Sequence, residues 1–68
     1  MNFPSGPYLE VLEYLRQHPK GCTAKQIGEA FPHLDVDTRG GIASRLRYEG
    51  YIKRLYVNSR KTVWVAIK

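Results

Sequence analysis

Arg39, Arg45, Arg47, Lys53, Arg54, Arg60, Lys61 and Lys68 crowd into the last thirty residues, where Glu49 is the only acid, giving that stretch a net +7. Before it, Arg16, Lys20 and Lys25 are outnumbered by Glu10, Glu13, Glu29, Asp35 and Asp37, a net −2, so the overall +5 conceals a split. The chemistry open to such a set is recognition of a polyanion. Guanidinium groups pair bidentately with phosphate or with the O6 and N7 edge of guanine, and lysines act as point charges. A one-sided distribution suggests a protein that turns one face to such a partner.

Other chemistries are poorly served. A structural zinc site wants four His or Cys ligands at tight spacing, and the chain holds only His18, Cys22 and His33. No Ser–His–Asp constellation, phosphate loop or glycine-rich cofactor loop is present, so no metal, cofactor, small-molecule ligand or catalytic residue is expected. Glu10 and Glu13 read as a solvated helix face. Sixty-eight residues make one domain, and a domain near that size buries only about 60% of its unfolded surface. It has little interior for a buried active site and is expected to work with its surface, not as an enzyme. One cysteine excludes an internal disulfide and fits a reducing compartment. The start MNFPSGPYLE lacks a basic and apolar leader, and no apolar run approaches the ~20 residues that span a bilayer. The expectation is a soluble cytoplasmic protein, nucleoid-associated in a prokaryote, with no membrane partner.

The elements that must position these cations follow from periodicity. Met1 to Gly6 reads as a short arm, with residues 7–68 as the domain. Ser5 is a candidate cap for a first helix of about Pro7 to His18, where Tyr8, Val11, Leu12 and Leu15 recur at helical spacing. Pro19-Lys20-Gly21 stops it. Thr23-Ala24-Lys25-Gln26 matches a capping box ahead of a second helix, about Ala24 to Phe31, with Ala24, Ile27 and Phe31 as its apolar face. Pro32 to Asp37 reads as a loop holding two candidate caps, Asp35 and Asp37. A third helix is expected from Val36 or Thr38 to Glu49, burying Ile42, Ala43 and Leu46, with Gly50 as its left-handed terminator. Gly40 and Gly41 within it are costly, at roughly 1 kcal/mol each against Ala. Tyr51 to Val57 and Thr62 to Lys68 read as a hairpin turning on Asn58-Ser59-Arg60-Lys61. In the second strand Val63, Val65 and Ile67 alternate with Thr62, Trp64 and Ala66, so one face covers the helices.

The order of three helices and a hairpin, with TAKQIGEAF, IASRLRYEGYIKR and TVWVAI in their places, resembles the winged helix-turn-helix family. The likeness runs from about Tyr8 to Ile67, with YLEVLEYLRQHPKGCTAKQI as the usual lead-in. It departs from the commonest form in the long PHLDVD loop and in the Gly-Gly pair near the start of the third helix. The resemblance implies an α+β three-helix fold with a C-terminal β-hairpin wing, and binding of double-stranded DNA by a small transcriptional regulator. It implies that Thr38, Arg39, Gly41, Ser44, Arg45, Arg47 and Tyr48 of the third helix meet the major groove. Lys53, Asn58, Arg60 and Lys61 of the wing would meet phosphates or the minor groove, and Thr23 and Lys25 would meet a phosphate. Such proteins usually act as dimers, which makes a homodimer through the first helix or the arm a hypothesis.

Plainer readings stand beside these. The third helix could be only a solvated face, the wing charges only edge protection, and Thr23 only a cap. Arg54 is open to packing its stem on an aromatic. Trp64, Tyr51 and Tyr56 read as core or cross-strand pairs rather than base-stacking platforms. Tyr8 and Tyr14 are candidates for self-association, with Tyr8 reading rather as core. From another class comes a winged-helix protein–protein interaction module, against which the charge split argues. Left-handed duplex is a further alternative: Tyr48 and Trp64 lie in comparable regions to the residues that read it, but the proline-rich wing turn of those proteins is absent.

Overall fold

The computed structural model describes residues 3–68, so Met1 and Asn2 of the expected arm lie outside the described residues. Three helices precede a two-stranded antiparallel hairpin: α1 (Pro7–Arg16), α2 (Ala24–Ala30), α3 (Val36–Tyr48), β1 (Ile52–Asn58) and β2 (Lys61–Ala66). This is a small α+β fold. Pro7 opens α1 at a position where its missing N–H costs nothing. Ser5 is not its cap: Gly6 takes the N-cap position and no side chain bonds the first turn. Val11, Leu12 and Leu15 turn inward as the periodicity requires. The helix ends at Arg16 rather than His18: the Gln17 amide is shared between the Glu13 and Tyr14 carbonyls, both at 3.2 Å, and the His18 amide bonds back only three residues, to Leu15, which tightens the last turn ahead of Pro19.

The capping box of α2 forms in full. The Thr23 hydroxyl accepts from the Gln26 amide at 3.1 Å, and the Thr23 amide donates to the Gln26 side chain at 2.8 Å. Of the two candidate caps for α3, Asp35 holds the position, accepting from the Thr38 amide at 2.7 Å, while Asp37 lies in the first turn. Of the two expected starts of α3, Val36 is the one observed; Phe31 to Asp35 connect α2 to it, and α3 contains both Gly40 and Gly41 as expected. Gly50, at φ +85°, ends α3. Its amide bonds Arg47 O at 3.0 Å and the Tyr51 amide bonds Leu46 O at 2.9 Å, the double closure of a Schellman motif.

Ile52 pairs with Ala66, Arg54 with Trp64 and Tyr56 with Thr62 on one face of the hairpin, while Lys53–Val65 and Leu55–Val63 share the other. Val57 is bulged out of the ladder, and Asn58 pairs with Lys61, so only Ser59 and Arg60 make the turn. Asn58 Oδ1 accepts from the Arg60 amide at 2.8 Å, a local bond that favours asparagine here. On the other edge of β2, Cys22 and Trp64 exchange two backbone bonds of 3.0 and 2.8 Å. This clips the α1–α2 connection to the hairpin. Gly21 is required beside that clip: its φ is +89°, and a Cβ would meet methyls of Val65 and Val63 at 2.6 and 2.7 Å.

Val11, Leu12 and Leu15 of α1, Cys22, Ile27 and Phe31 around α2, Ile42 and Leu46 of α3, and Ile52 of β1 form the core. Trp64 and Ala66 pack against it, so the Ile52–Trp64 face of the hairpin covers the helices. Val63 and Val65 are also buried, but on the opposite face beside Gly21. Both alternating sets of β2 are thus used, one for the core and one for the clip.

Candidate nucleic-acid interface

With Ile42 and Leu46 inward, a helix of 3.6 residues per turn sends Gly40, Gly41, Ser44, Arg47 and Tyr48 outward at successive spacings of three and four. All five are exposed, Tyr48 at 87%. A Cβ built on Gly40 or Gly41 meets nothing within 4 Å. The glycines therefore relieve no crowding inside the protein, although each weakens α3 by roughly 1 kcal/mol. What they leave is a smooth helix face that another body can approach closely, ending in a guanidinium and a phenol.

The other two arginines of α3 lie on its flanks. Arg45 is exposed but leans over the Phe3 ring, 4.5 Å from its centroid, and 5.9 Å from that of Tyr8. Phe3 itself packs edge-on against Tyr8 and Tyr51, and its carbonyl accepts from the Tyr51 hydroxyl at 3.1 Å. Stacking restrains the guanidinium plane while leaving its edge donors free. Arg39 lies half-buried on the opposite flank, laid across α2 at Gly28, where any Cβ would overlap its guanidinium. Thr38 is exposed, and hydrogen bonding from its side chain and backbone holds the Asp35 carboxyl below the usual carboxylate value, with the charge of Arg39 as a smaller contribution.

Lys53, Asn58, Arg60 and Lys61 are exposed. The Asn58 carbonyl oxygen is engaged in the turn, leaving its NH2 group for outside partners. Arg60 and Lys61 stand at the tip. Lys53 lies on the hairpin face away from the helices, whereas Arg54 shares the face of Ile52 and sits over Trp64, its guanidinium carbon 5.9 Å from the ring centroid. Arg54 is therefore the strand cation on the helix side. Its signal was the period-two spacing from Ile52, readable once Ile52 is known to be core. Tyr51 and Trp64 are half-buried against the core, but Tyr56 is 73% exposed and is not core: the hairpin outruns the helices before it reaches that position.

Thr23 and exposed Lys25 sit at the start of α2. The first turn there already receives the capping box, so Lys25 is the free group. His18 Nδ1 lies 2.8 Å from the Tyr14 carbonyl, and Cys22 is in the core, where burial pushes its thiol up. Among the described residues the single ion pair is Arg16–Glu13, at 2.7 Å within α1. Among them no carboxylate comes within ion-pair distance of a cation of α3 or the hairpin, and Asp35 feels Arg39 only at longer range. No helix there is long and apolar enough to cross a membrane. No protein-family model, curated protein or solved structure matches the chain.

Proposed function

We propose that this is a winged-helix protein that binds double-stranded DNA and serves as a small transcriptional regulator. The observation that carries this reading is the uncompensated charge: eight basic residues against Glu49 from Arg39 onward, with the one ion pair of the described residues far away in α1. Phosphate neutralisation gives such a set a use, since each cation that reaches a phosphate releases counterions. The open face of α3 adds support. In this reading Ser44, Arg47 and Tyr48 meet the major groove, with Gly40 and Gly41 admitting the duplex. Arg45 and Thr38 approach along one edge of α3, and Arg39 along the other. Lys25, Arg60 and Lys61 hold phosphates, joined on the strands by Arg54 and Lys53. Thr23 acts as the cap of α2.

A titration of fluorescent random-sequence duplex at two salt concentrations, with heparin as competitor, tests it. Binding should weaken steeply with salt. No binding at low salt would remove the DNA reading.

A second reading, a protein-interaction module, draws on β1. That strand has β2 on one side only, and Leu55, Tyr56 and Val57 are exposed along it. An unpaired edge of that kind is open to an added strand. It becomes the leading reading if the duplex titration fails.

A further inference from the structure

Between α2, the first half of α3 and the hairpin lies a cavity of about 290 Å³. Ile27 of α2, Val36, Arg39, Gly40 and Ala43 of α3, and Trp64 of β2 are among its lining residues. Val36, one of its lining residues, is 70% exposed and marks its open side. Its size falls just below the ~300–1,000 Å³ typical of small-molecule sites, which suits a compact ligand.

Three features define what fits. The walls are mostly aliphatic, with the flat Trp64 ring on one side. Arg39 is the only charged residue of the lining, and among the described residues it forms no ion pair. Its guanidinium lies against Gly28 on the α2 side of the space, and a cation beside an apolar space favours an anionic group there, because charge-assisted hydrogen bonds strengthen as water is excluded. At Gly40 the helix backbone is bare and a Cβ would meet nothing within 4 Å, so this wall is kept low at a cost in helix stability and with no packing return.

We infer that this cavity binds a small carboxylic acid with a compact apolar body, of the size of an aryl-acetic or medium-chain fatty acid. The carboxylate pairs with Arg39, the Ser44 hydroxyl at the rim can donate a second hydrogen bond, and the body lies against Ile27, Ala43 and Trp64. The inference does not rest on the DNA reading. The two meet at Arg39, Gly40 and Ser44, which ligand and duplex would share.

Trp64 is the sole tryptophan, so its emission reports the cavity directly. The experiment titrates the intact protein, without DNA, with phenylacetate and octanoate and with their primary amides. Both acids should give a saturable change, tighter than their amides by about tenfold or more, the worth of one charge-assisted hydrogen bond. Arg39→Gln should bring the acids down to the amides. Ala43→Met, which fills the space, should abolish both while the circular-dichroism melt shows the fold retained. No saturable change with either acid would overturn the inference. So would equal binding of acid and amide, or an acid preference that survives Arg39→Gln. Failure here leaves the salt-dependent duplex titration untouched, and failure of that titration leaves this one untouched.

Discussion

Arg45 shows how a single side chain can be charged, exposed and still not free. Its guanidinium lies on Phe3 and near Tyr8, which restrains it without using its edge donors. If those donors read a guanine, Arg45→Ala should weaken binding to the preferred site by ~1–3 kcal/mol and relax specificity at that base. Equal loss on every sequence in a competition assay would reassign Arg45 to phosphate. Asp35 carries a second residue-scale consequence. Hydrogen bonds from Thr38 hold its folded carboxyl below the ordinary 3.8. A group depressed on folding stabilises the protein above its unfolded value and loses that contribution as pH falls through the folded one. Thermal melts across the acid range should therefore show stability falling below about pH 4. Asp35→Asn should keep the cap, since asparagine caps as well as aspartate, and flatten that part of the curve. An unchanged acid limb in the variant would mean that other carboxylates dominate it.

At the scale of the element, α3 is the helix least suited to being one. Two central glycines weaken it, and its inward face rests chiefly on Ile42 and Leu46. It is held by its ends: Asp35 caps the start and the Gly50 closure returns Tyr51 to the core. Because a Cβ at Gly41 meets nothing, Gly41→Ala should stabilise the protein by about 1 kcal/mol and raise Tm by roughly 4–8 °C. If the duplex approaches this face, the same change should weaken DNA binding. A variant that is more stable and binds equally well would place the duplex elsewhere. The hairpin is another element whose parts divide their work, with Ile52 and Trp64 facing the core, Val63 and Val65 at the Gly21 clip, and the tip left for cations.

For the whole molecule the governing quantity is the separation of charge. The acidic segment contributes α1, whose Arg16 is paired internally with Glu13 and also donates to the Lys68 carbonyl at 2.8 Å. The basic segment holds its cations unpaired by any carboxylate of the described residues. Arg60→Ala should then weaken binding to all duplexes alike and lower the slope of log K against log salt by about one unit. An unchanged slope would take the hairpin tip out of the interface. A homodimer through α1 has one exposed large apolar side chain of that helix to work with, Leu9 at 38%. Sedimentation with and without duplex decides whether two copies assemble, and a monomer in both would remove that hypothesis.

By itself the sequence determined the element order, the core contributed by the three helices and the charge split. Those depend on local signals: apolar spacing at 3.6 and 2 residues, a capping box at Thr23, and glycine where α3 needs a left-handed residue. It did not mark Cys22 or Ile52 as core, and it placed Ala24 and Tyr56 too far inward. Ends were legible only within a residue or two, because Gly6 rather than Ser5 precedes α1 and the tip bulge absorbs Val57. Tertiary structure alone decided which cations are free. Arg39 is drawn onto α2 by the gap at Gly28, Arg45 onto Phe3 from 42 positions earlier, and Arg54 onto Trp64 across the ladder. No single helix or strand contains both partners of such a contact. The cavity beside Trp64 is of the same kind, since its walls come from all three helices and both strands. Periodicity reports which way a side chain turns from its own element, and only the packing of elements determines what it meets there.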